Sequence, residues 1–175
     1  YFLKYNQIKF IKNNLVDQIK KQKLNKAVPF YSLDKNIVGE TTNSKLNKIS
    51  KYLKRNNSDY IFISAPENVA WILNIRGKDS PNAPIPNSRL LITKTKKIFL
   101  ISEYSKCKKL FKDKIISVNQ FINSKEFYKK ISSLKGKNFI IDENSCSIFY
   151  EDLIKSKFKI IKRVDPTYHF KSIKN

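Results

Sequence analysis

The sequence is poor in the residues that build metal and redox sites. Its 175 residues include one histidine, two cysteines, three glycines and no methionine. The single histidine, His169, excludes any metal site that needs two histidines from this chain. The glycines are isolated from one another, which excludes a glycine-rich phosphate-binding loop. Cys107 and Cys146 form no CxxC pair and are too few for a disulfide framework, so we expect two reduced thiols on buried helix faces in a cytoplasmic protein.

Long apolar runs are also missing. No uninterrupted apolar stretch approaches the length of a membrane helix, and Tyr1-Phe2-Leu3 is followed at once by Lys4, unlike a signal peptide. We therefore expect no membrane partner. Because methionine does not occupy position 1, the chain is expected to be a piece of a longer protein.

Acidic residues are scarce beside basic ones. Lys and Arg number 36 and Asp and Glu 14, which gives a formal net charge of +22 and a pI of about 9.9. The arginine fork is the preferred reader of phosphates and guanine edges, yet the arginines are only Arg55, Arg76, Arg89 and Arg163. The lysines occur in nearly every segment. This pattern favours solvated lysines from AT-rich codon usage over a polyanion-binding surface, and both interpretations stay open.

The apolar residues, 41% of the chain, suffice for a packed core. Ser64 and Glu67 have the spacing of a capping box. The apolar spacing predicts helices at 1–25, 43–55, 67–73, 103–112, 124–134 and 146–155. It predicts strands at 60–64, 89–93, 98–102, 114–118, 138–142 and 158–164. This alternation, with a hairpin at 89–102, predicts an α/β fold in which a mixed sheet is flanked by helices on both faces.

Proline, glycine and breaks in the apolar periodicity divide the chain into four parts. Residues 1–26 are interpreted as the terminal helix of a preceding domain. Residues 27–42 lack a clean period and contain proline and glycine, so they are interpreted as an extended linker. The α/β domain spans residues 43–164, and residues 165–175 begin a connection beyond it.

Candidate catalytic groups are few. His169 follows Asp165-Pro166 near the end of the chain, where a solvated or locally bonded histidine is favoured over a catalytic base. The neighbouring acids Asp142-Glu143 and Glu151-Asp152 favour solvated turns over a metal site, because no histidines support them. From its residues alone, the chain is predicted not to be a catalyst.

The segment from Asn68 to Asp79 stands apart. It holds the only tryptophan, Trp71, and then Arg76-Gly77 at the mouth of a proline-rich loop over 74–87. In one interpretation Trp71 belongs to the core and Arg76 caps a helix C-terminus, where a cation is favourable. In the other, both residues form a functional lip on the loop, with Asp79 holding Arg76 in place.

Four blocks of this sequence resemble a known family, the long, three-domain Xaa-Pro aminopeptidases (aminopeptidase P). The string Trp71-Ile-Leu-Asn-Ile-Arg-Gly-Lys-Asp79, followed by Pro84, is similar to the "aWllNlRGsD…nPv" signature of the family's second domain. The other blocks follow in family order: Asn14–Asp17 resembles "NLVD", Gly39–Leu46 resembles "GesSaeKl", and Asp165-Pro166 with Lys171–Asn175 resembles "DP…lKaiKN".

The resemblance implies a creatinase-type N-terminal domain, the second of two, which lacks catalytic residues and cofactors of its own. The family's ligands for two divalent metal ions, usually manganese, lie in a C-terminal catalytic domain of the pita-bread fold. As partners, it implies that catalytic domain and a peptide substrate with proline in second position, in a homodimeric parent and without specific nucleic acid. Trp71, Arg76 and Asp79 would form a lip of the substrate pocket.

Two other interpretations compete with this one. A stand-alone basic α/β module that binds nucleic acid would place its lysines on one contiguous face, and its gene would not continue past Asn175. A relative such as creatinase or prolidase would carry one N-terminal domain. The helix predicted at 1–25 disfavours that second alternative.

Overall fold

The computed structural model describes residues 15–16, 27–34 and 36–173. The strands are β1 (Tyr31–Ser32), β2 (Tyr60–Ile63), β3 (Ile75–Arg76), β4 (Arg89–Thr93), β5 (Ile98–Ser102), β6 (Phe121–Asn123), β7 (Asn138–Ile141) and β8 (Lys159–Lys162). The α-helices are α1 (Thr42–Arg55), α2 (Pro66–Leu73), α3 (Tyr104–Lys112), α4 (Phe127–Ser133), α5 (Ile148–Lys155) and α6 (Pro166–Ser172). Short 3₁₀ turns lie at Val118–Gln120 and Ser124–Glu126.

Six strands form the main sheet, in the order β6-β5-β4-β2-β7-β8. β4 runs antiparallel to β2 and β5, and the remaining neighbours are parallel. At the centre, Ile61 of β2 lies opposite Ile92 of β4 and Ile140 of β7. Every residue of β2 is buried, as a continuous apolar run requires of a strand with no solvent face. The predicted mixed sheet is confirmed.

Helices cover both faces of this sheet. Side chains alternate along a strand, so Ile61 and Ile63 pack on one face while Tyr60 and Phe62 pack on the other. The first face carries buried residues of α1, α2 and α3, with Phe170 of α6 packed against them. The second face carries α4 and α5. The prediction of helices on both faces is therefore confirmed.

The start of the domain differs from the expected linker. Phe30 is fully buried in the core, and its amide donates to the carbonyl of Lys106 at 2.8 Å. Tyr31 and Ser32 form β1, which pairs antiparallel with β3. The segment 27–34 thus packs onto the domain, because a large aromatic side chain gains more by burial than a free linker would allow. The helix predicted for residues 1–25, like the terminal unit 1–26, lies outside the described residues apart from 15–16.

Two local predictions were wrong. The strand expected at 114–118 is displaced to β6, because Ser117 and Gln120 close a 3₁₀ turn through a reciprocal capping box before the chain reaches the sheet edge. The capping box expected from Ser64 does not form either. Ala65 precedes α2 without a side-chain cap, and the Ser64 hydroxyl pairs instead with the Ser145 hydroxyl at 2.7 Å.

No helix among the described residues is both long and apolar enough to cross a membrane.

Candidate functional site

A cleft of about 290 Å³ opens between α1, the C-terminal end of α2, the end of α6, Leu33 and residues 37–40. Its charged lining consists of four cations and one carboxylate: Lys45, Lys48, Arg76, Lys171 and Glu40. Its apolar lining is supplied by Leu33, Ile37, Val38, Trp71, Phe170 and Ile173. The cleft is therefore amphipathic and carries an excess of positive charge.

Lys45 lies deepest among these cations. Its residue is only 2% exposed, although lysine is rarely buried. The ammonium donates to the carbonyl of Trp71 and to Oδ1 of Asn74, both at 2.6 Å, and lies 4.4 Å from the centre of the Trp71 ring. Burial lowers the pKa of Lys45 to about 8; Glu40 opposes that effect, whereas the charge of Arg76 adds to it.

Trp71 lies on α2 and forms part of the cleft wall. Pro66 occupies the first turn of α2, and Asn74 ends the helix in the left-handed conformation. The Trp71 side chain is partly buried against the first core face and also borders the cleft. The two interpretations of Trp71, core residue and pocket wall, thus both describe part of its environment.

Arg76, on β3, turns its guanidinium back over the end of α2. Nη1 donates to the carbonyl of Ile75 at 2.9 Å and to that of Ala70 at 3.3 Å. This is the capping contact expected of a cation at a helix C-terminus. Nε and Nη2 make no hydrogen bond within the described ranges, and Arg76 borders the cleft beside Trp71. Arg76 can therefore cap the helix and still offer donors to a ligand.

Asp79 does not join Trp71 and Arg76 in this cleft. Its carboxylate pairs with Lys106 at 2.8 Å and accepts the backbone amide of Asn87 at 2.6 Å. Within the described part of the chain it does not contact Arg76, so the expected positioning of Arg76 by Asp79 was wrong. Asp79 instead ties the start of the proline-rich loop to its end and to α3.

Lys45 was not identified as a site residue from the sequence, although the helical spacing of α1 indicates that it is buried. Residues four apart share a face of a helix, which places Lys45 on the buried face with Ile49 and Leu53. A lysine in that pattern was interpreted as solvated, like the many lysines around it. The buried lysine could have been found by following the period of α1 one step further.

A buried polar network holds α6 beside the cleft. Asn68, Asp165 and Thr167 are each at most 3% exposed. Asn68 donates to Asp165 at 2.6 Å, and Asp165 caps α6 by accepting the amide and hydroxyl of Thr167. Asp142 accepts the backbone amide of Asp165 at 3.0 Å. Burial raises the pKa of Asp165, against the hydrogen bonds that lower it.

The network also places Lys171 at the cleft. Its ammonium donates to Oδ1 of Asn68 at 2.5 Å and lies 4.9 Å from the centre of the Tyr168 ring. Asn68 is thereby a donor to Asp165 and an acceptor from Lys171, so both ends of its amide are satisfied. One buried side chain thus links the base of α2 to the last turn of α6.

The other candidate groups lie apart from the cleft. His169 is exposed, and its nearest aromatic contact is the ring of Phe170. Glu143 and Glu151 both pair with Lys162 on the surface. Asp142, in contrast, is buried in the network described above, so the expectation of a solvated carboxylate was wrong for this residue.

Both thiols are free, and their positions differ. Cys107 is buried on α3, as expected, and burial raises its pKa to about 12. Cys146 precedes α5 instead of lying on a helix face, and it is only partly buried; that burial raises its pKa to about 11. Neither thiol is poised as a nucleophile at neutral pH.

Known proteins resemble nearly the whole chain. A family model described as the creatinase/prolidase N-terminal domain matches residues 21–175. The chain is 27% identical over 172 residues to Xaa-Pro aminopeptidase 1 of Dictyostelium discoideum, covering 93% of this chain and 27% of that protein. It is 26% identical over 176 residues to Xaa-Pro aminopeptidase ApepP of Drosophila melanogaster, covering 94% and 28%. The chain therefore spans about a quarter of the length of these two relatives.

Solved structures share the fold. An X-prolyl aminopeptidase from Caenorhabditis elegans, described as a cytosolic enzyme with a di-nuclear active site, superposes with a TM-score of 0.73 at 22% identity, over 94% of this chain and 28% of that one. An aminopeptidase P structure from Streptococcus thermophilus superposes with a TM-score of 0.55 at 14% identity, over 74% of this chain and 98% of that one. In the second case, the solved chain is little longer than the matched domain.

Proposed function

Because the chain belongs to the creatinase/prolidase N-terminal domain family, we propose that it is the non-catalytic N-side domain of a longer, metal-dependent Xaa-Pro aminopeptidase. The observation that carries this proposal is the likeness of 93% of the chain to an Xaa-Pro aminopeptidase of which it spans 27%. The rest of such a parent would supply the catalytic domain. We place the parent in the cytoplasm, since the C. elegans relative is described as cytosolic.

In this proposal the metals belong to that catalytic domain. No group of three His, Cys, Asp or Glu side chains that could hold a metal ion occurs among the described residues. The chemistry that two divalent ions, manganese in our proposal, supply is activation of a water and polarisation of the scissile carbonyl. That chemistry does not distinguish Xaa-Pro bonds from others, so selection needs protein walls around the substrate.

Trp71 and Arg76 are our candidates for such a wall. The indole offers a flat apolar surface to a proline ring, and the free N–H groups of Arg76 can donate hydrogen bonds to a peptide carbonyl or carboxylate. Asp79 would act from a distance by holding the proline-rich loop through Lys106 and Asn87. The proposed substrate is a peptide with proline in second position. We also propose that the parent is a homodimer, and sedimentation equilibrium of the full-length protein would measure its oligomeric state.

The proposal is tested in the full-length protein with Arg76→Ala and Arg76→Lys. We expect Arg76→Ala to lower kcat/KM for an Xaa-Pro peptide by about tenfold or more, the loss of one charged hydrogen bond. Arg76→Lys keeps the charge and should retain part of the activity. The 175-residue chain alone should release no N-terminal residue. Because Arg76 also caps α2, we expect a loss of stability of up to about 1 kcal/mol.

Lys51→Ala is the matched control, since it removes an exposed cation from α1 outside the cleft. It should leave turnover unchanged. If Arg76→Ala leaves turnover unchanged, Arg76 does not contact the substrate and its role is limited to capping α2. A full-length protein that carries metal but shows no preference for Xaa-Pro bonds would overturn the proposed activity itself.

A further inference from the structure

Three of the four cations of the cleft form no ion pair with a carboxylate among the described residues. Lys48 pairs with Glu40 at 2.8 Å. Lys45, Arg76 and Lys171 have no carboxylate oxygen within 4.0 Å in the described ranges. Their hydrogen bonds go to neutral carbonyl and amide oxygens. Three positive charges thus line one cavity whose single carboxylate among the described residues, Glu40, already pairs with Lys48.

These cations are held in place before any ligand arrives. Lys45 is fixed by Trp71 and Asn74, Arg76 by the end of α2, and Lys171 by Asn68. Fixed donors lose little conformational entropy when a ligand binds. The remaining donors of Arg76 and the third N–H of Lys45 make no hydrogen bond to any residue that the structure describes, so they are available to a ligand. The cavity is therefore preorganised for an anion, unlike the long exposed lysines elsewhere on the surface.

Part of the cleft lining is apolar and open to solvent. Ile37 is 71% exposed and Ile173 60% exposed, and both border the cavity. Trp71 and Phe170 continue this lining inward. A volume of about 290 Å³ lies at the lower end for small-molecule sites, which limits the ligand to the size of one or two amino-acid residues.

We propose that this cleft binds a small carboxylate that carries an apolar substituent, with the carboxylate on Lys45 and Arg76 and the substituent against Trp71 and Ile37. The C-terminus of a short peptide and a free aliphatic acid both present this chemistry. Identifying the ligand with a peptide C-terminus rests on the proposed function, whereas binding itself does not. An inorganic anion would leave the apolar lining unused.

The experiment is calorimetric titration of the 175-residue chain with N-acetyl-L-leucine, hexanoate, N-acetyl-L-leucinamide and inorganic phosphate. We expect the two carboxylates to bind at one site, and the uncharged amide and phosphate to bind at least about tenfold more weakly. Tighter binding of N-acetyl-L-leucine than of hexanoate would assign the site to peptide C-termini. Equal binding of the amide, or of phosphate, would overturn the proposal.

Variants locate the binding. Arg76→Gln and Lys45→Met should each weaken N-acetyl-L-leucine by about tenfold, and Lys51→Ala should have no effect. If Lys45→Met fails to fold, Arg76→Gln and a Trp71 fluorescence change on titration test the same site. Binding that survives Arg76→Gln unchanged would overturn the proposal. Since no peptide is cleaved in this assay, its failure would leave the peptidase proposal standing, and a parent without peptidase activity would leave the binding result standing.

Discussion

Lys45 carries its charge where burial disfavours it, and this makes the stability of the domain depend on pH in the alkaline range. Burial lowers the pKa of Lys45 in the folded chain to about 8 from 10.5; Glu40 partly opposes this shift, and Arg76 and Lys48 add to it. Between these two values the unfolded chain binds the proton and the folded chain does not. Stability should therefore rise with pH across this window, relative to a variant without the amine.

The test compares the free energy of unfolding of the wild type with that of Lys45→Met in urea from about pH 7 to pH 10.5. Below about pH 8 the difference between them should be constant. Above it, the wild type should gain on the variant. Lys51→Met, at an exposed position of the same helix, should show no such change. A constant difference for Lys45→Met over the whole range would contradict the lowered pKa.

Trp71 is expected to contribute to stability without being a full core residue. It is only partly buried, and its ring also receives the Lys45 ammonium at 4.4 Å. Trp71→Ala should therefore cost roughly 2–3 kcal/mol, less than the 3–5 kcal/mol of a fully buried ring. Urea denaturation measures this loss, and Trp71→Phe should recover about half of it. A loss below about 1 kcal/mol would make Trp71 a surface residue of the cleft alone.

For single residues, the sequence indicated candidate site residues where the residue type is rare in the chain. The only tryptophan and one of four arginines pointed to a segment that does border a cleft. Asp79 and Lys45 were misjudged because both depend on which partner the fold supplies. Asp79 found Lys106 of α3, 27 residues away, and Lys45 found the end of α2. Such long-range partners leave no mark in local spacing.

Among the elements, β3 and its loop depend on one close approach. A Cβ added to Gly77 would lie 2.6 Å from Cα of Pro86 and 3.0 Å from the ring of Phe30. Gly77→Ala should therefore push the loop from the core and cost about 1–3 kcal/mol. Thermal and urea unfolding measure the loss. Gly39→Ala is the matched control, because a Cβ there meets nothing within 4 Å and should change stability by less than about 0.5 kcal/mol.

Element predictions succeeded where apolar period and turn signals agreed. α1, β2 and the β4–β5 hairpin lie within a residue or two of their expected positions. The predictions failed where apolar residues are buried without pairing with a neighbouring strand. Ile116 is buried, as a strand residue would be, yet the ladder partner of β5 is Ile122. The apolar character of Ile116 correctly predicted its burial. It could not predict which segment would pair with β5 at the edge of the sheet.

For the whole molecule, the alternation of strands and helices predicted an α/β fold with a mixed sheet, but not the strand order. β2 lies between β4 and β7, which are separated from it by 25 and 74 residues of chain, and no local pattern encodes such neighbours. The small sheet of β1 and β3 was not predicted either, since strands of two residues are too short to show a period. The family resemblance added the expectation of a creatinase-type N-terminal domain, and it too was stated without a strand order.

The net charge of +22 belongs to the molecule as a whole. Lysines lie in nearly every element, and several of them, such as Lys94 with Asp59 and Lys162 with Glu143, are already paired with the few acids. Scattered lysines can release counterions from a polyanion, but they cannot read bases, which requires planar donors at fixed positions. We therefore expect weak polyanion binding without sequence preference.

Fluorescence anisotropy with labelled single-stranded and duplex DNA of mixed and homopolymeric sequence measures this binding. Affinity should be similar for all sequences and should fall steeply between about 0.05 M and 0.2 M salt, because each neutralised phosphate releases counterions. Heparin should compete as well as DNA does, since both offer charge alone. A tight complex with one sequence at about 0.15 M salt would contradict this expectation. It would require the lysines to form a contiguous reading face, and it would favour a nucleic-acid-binding module over a domain whose charge is mostly solvated.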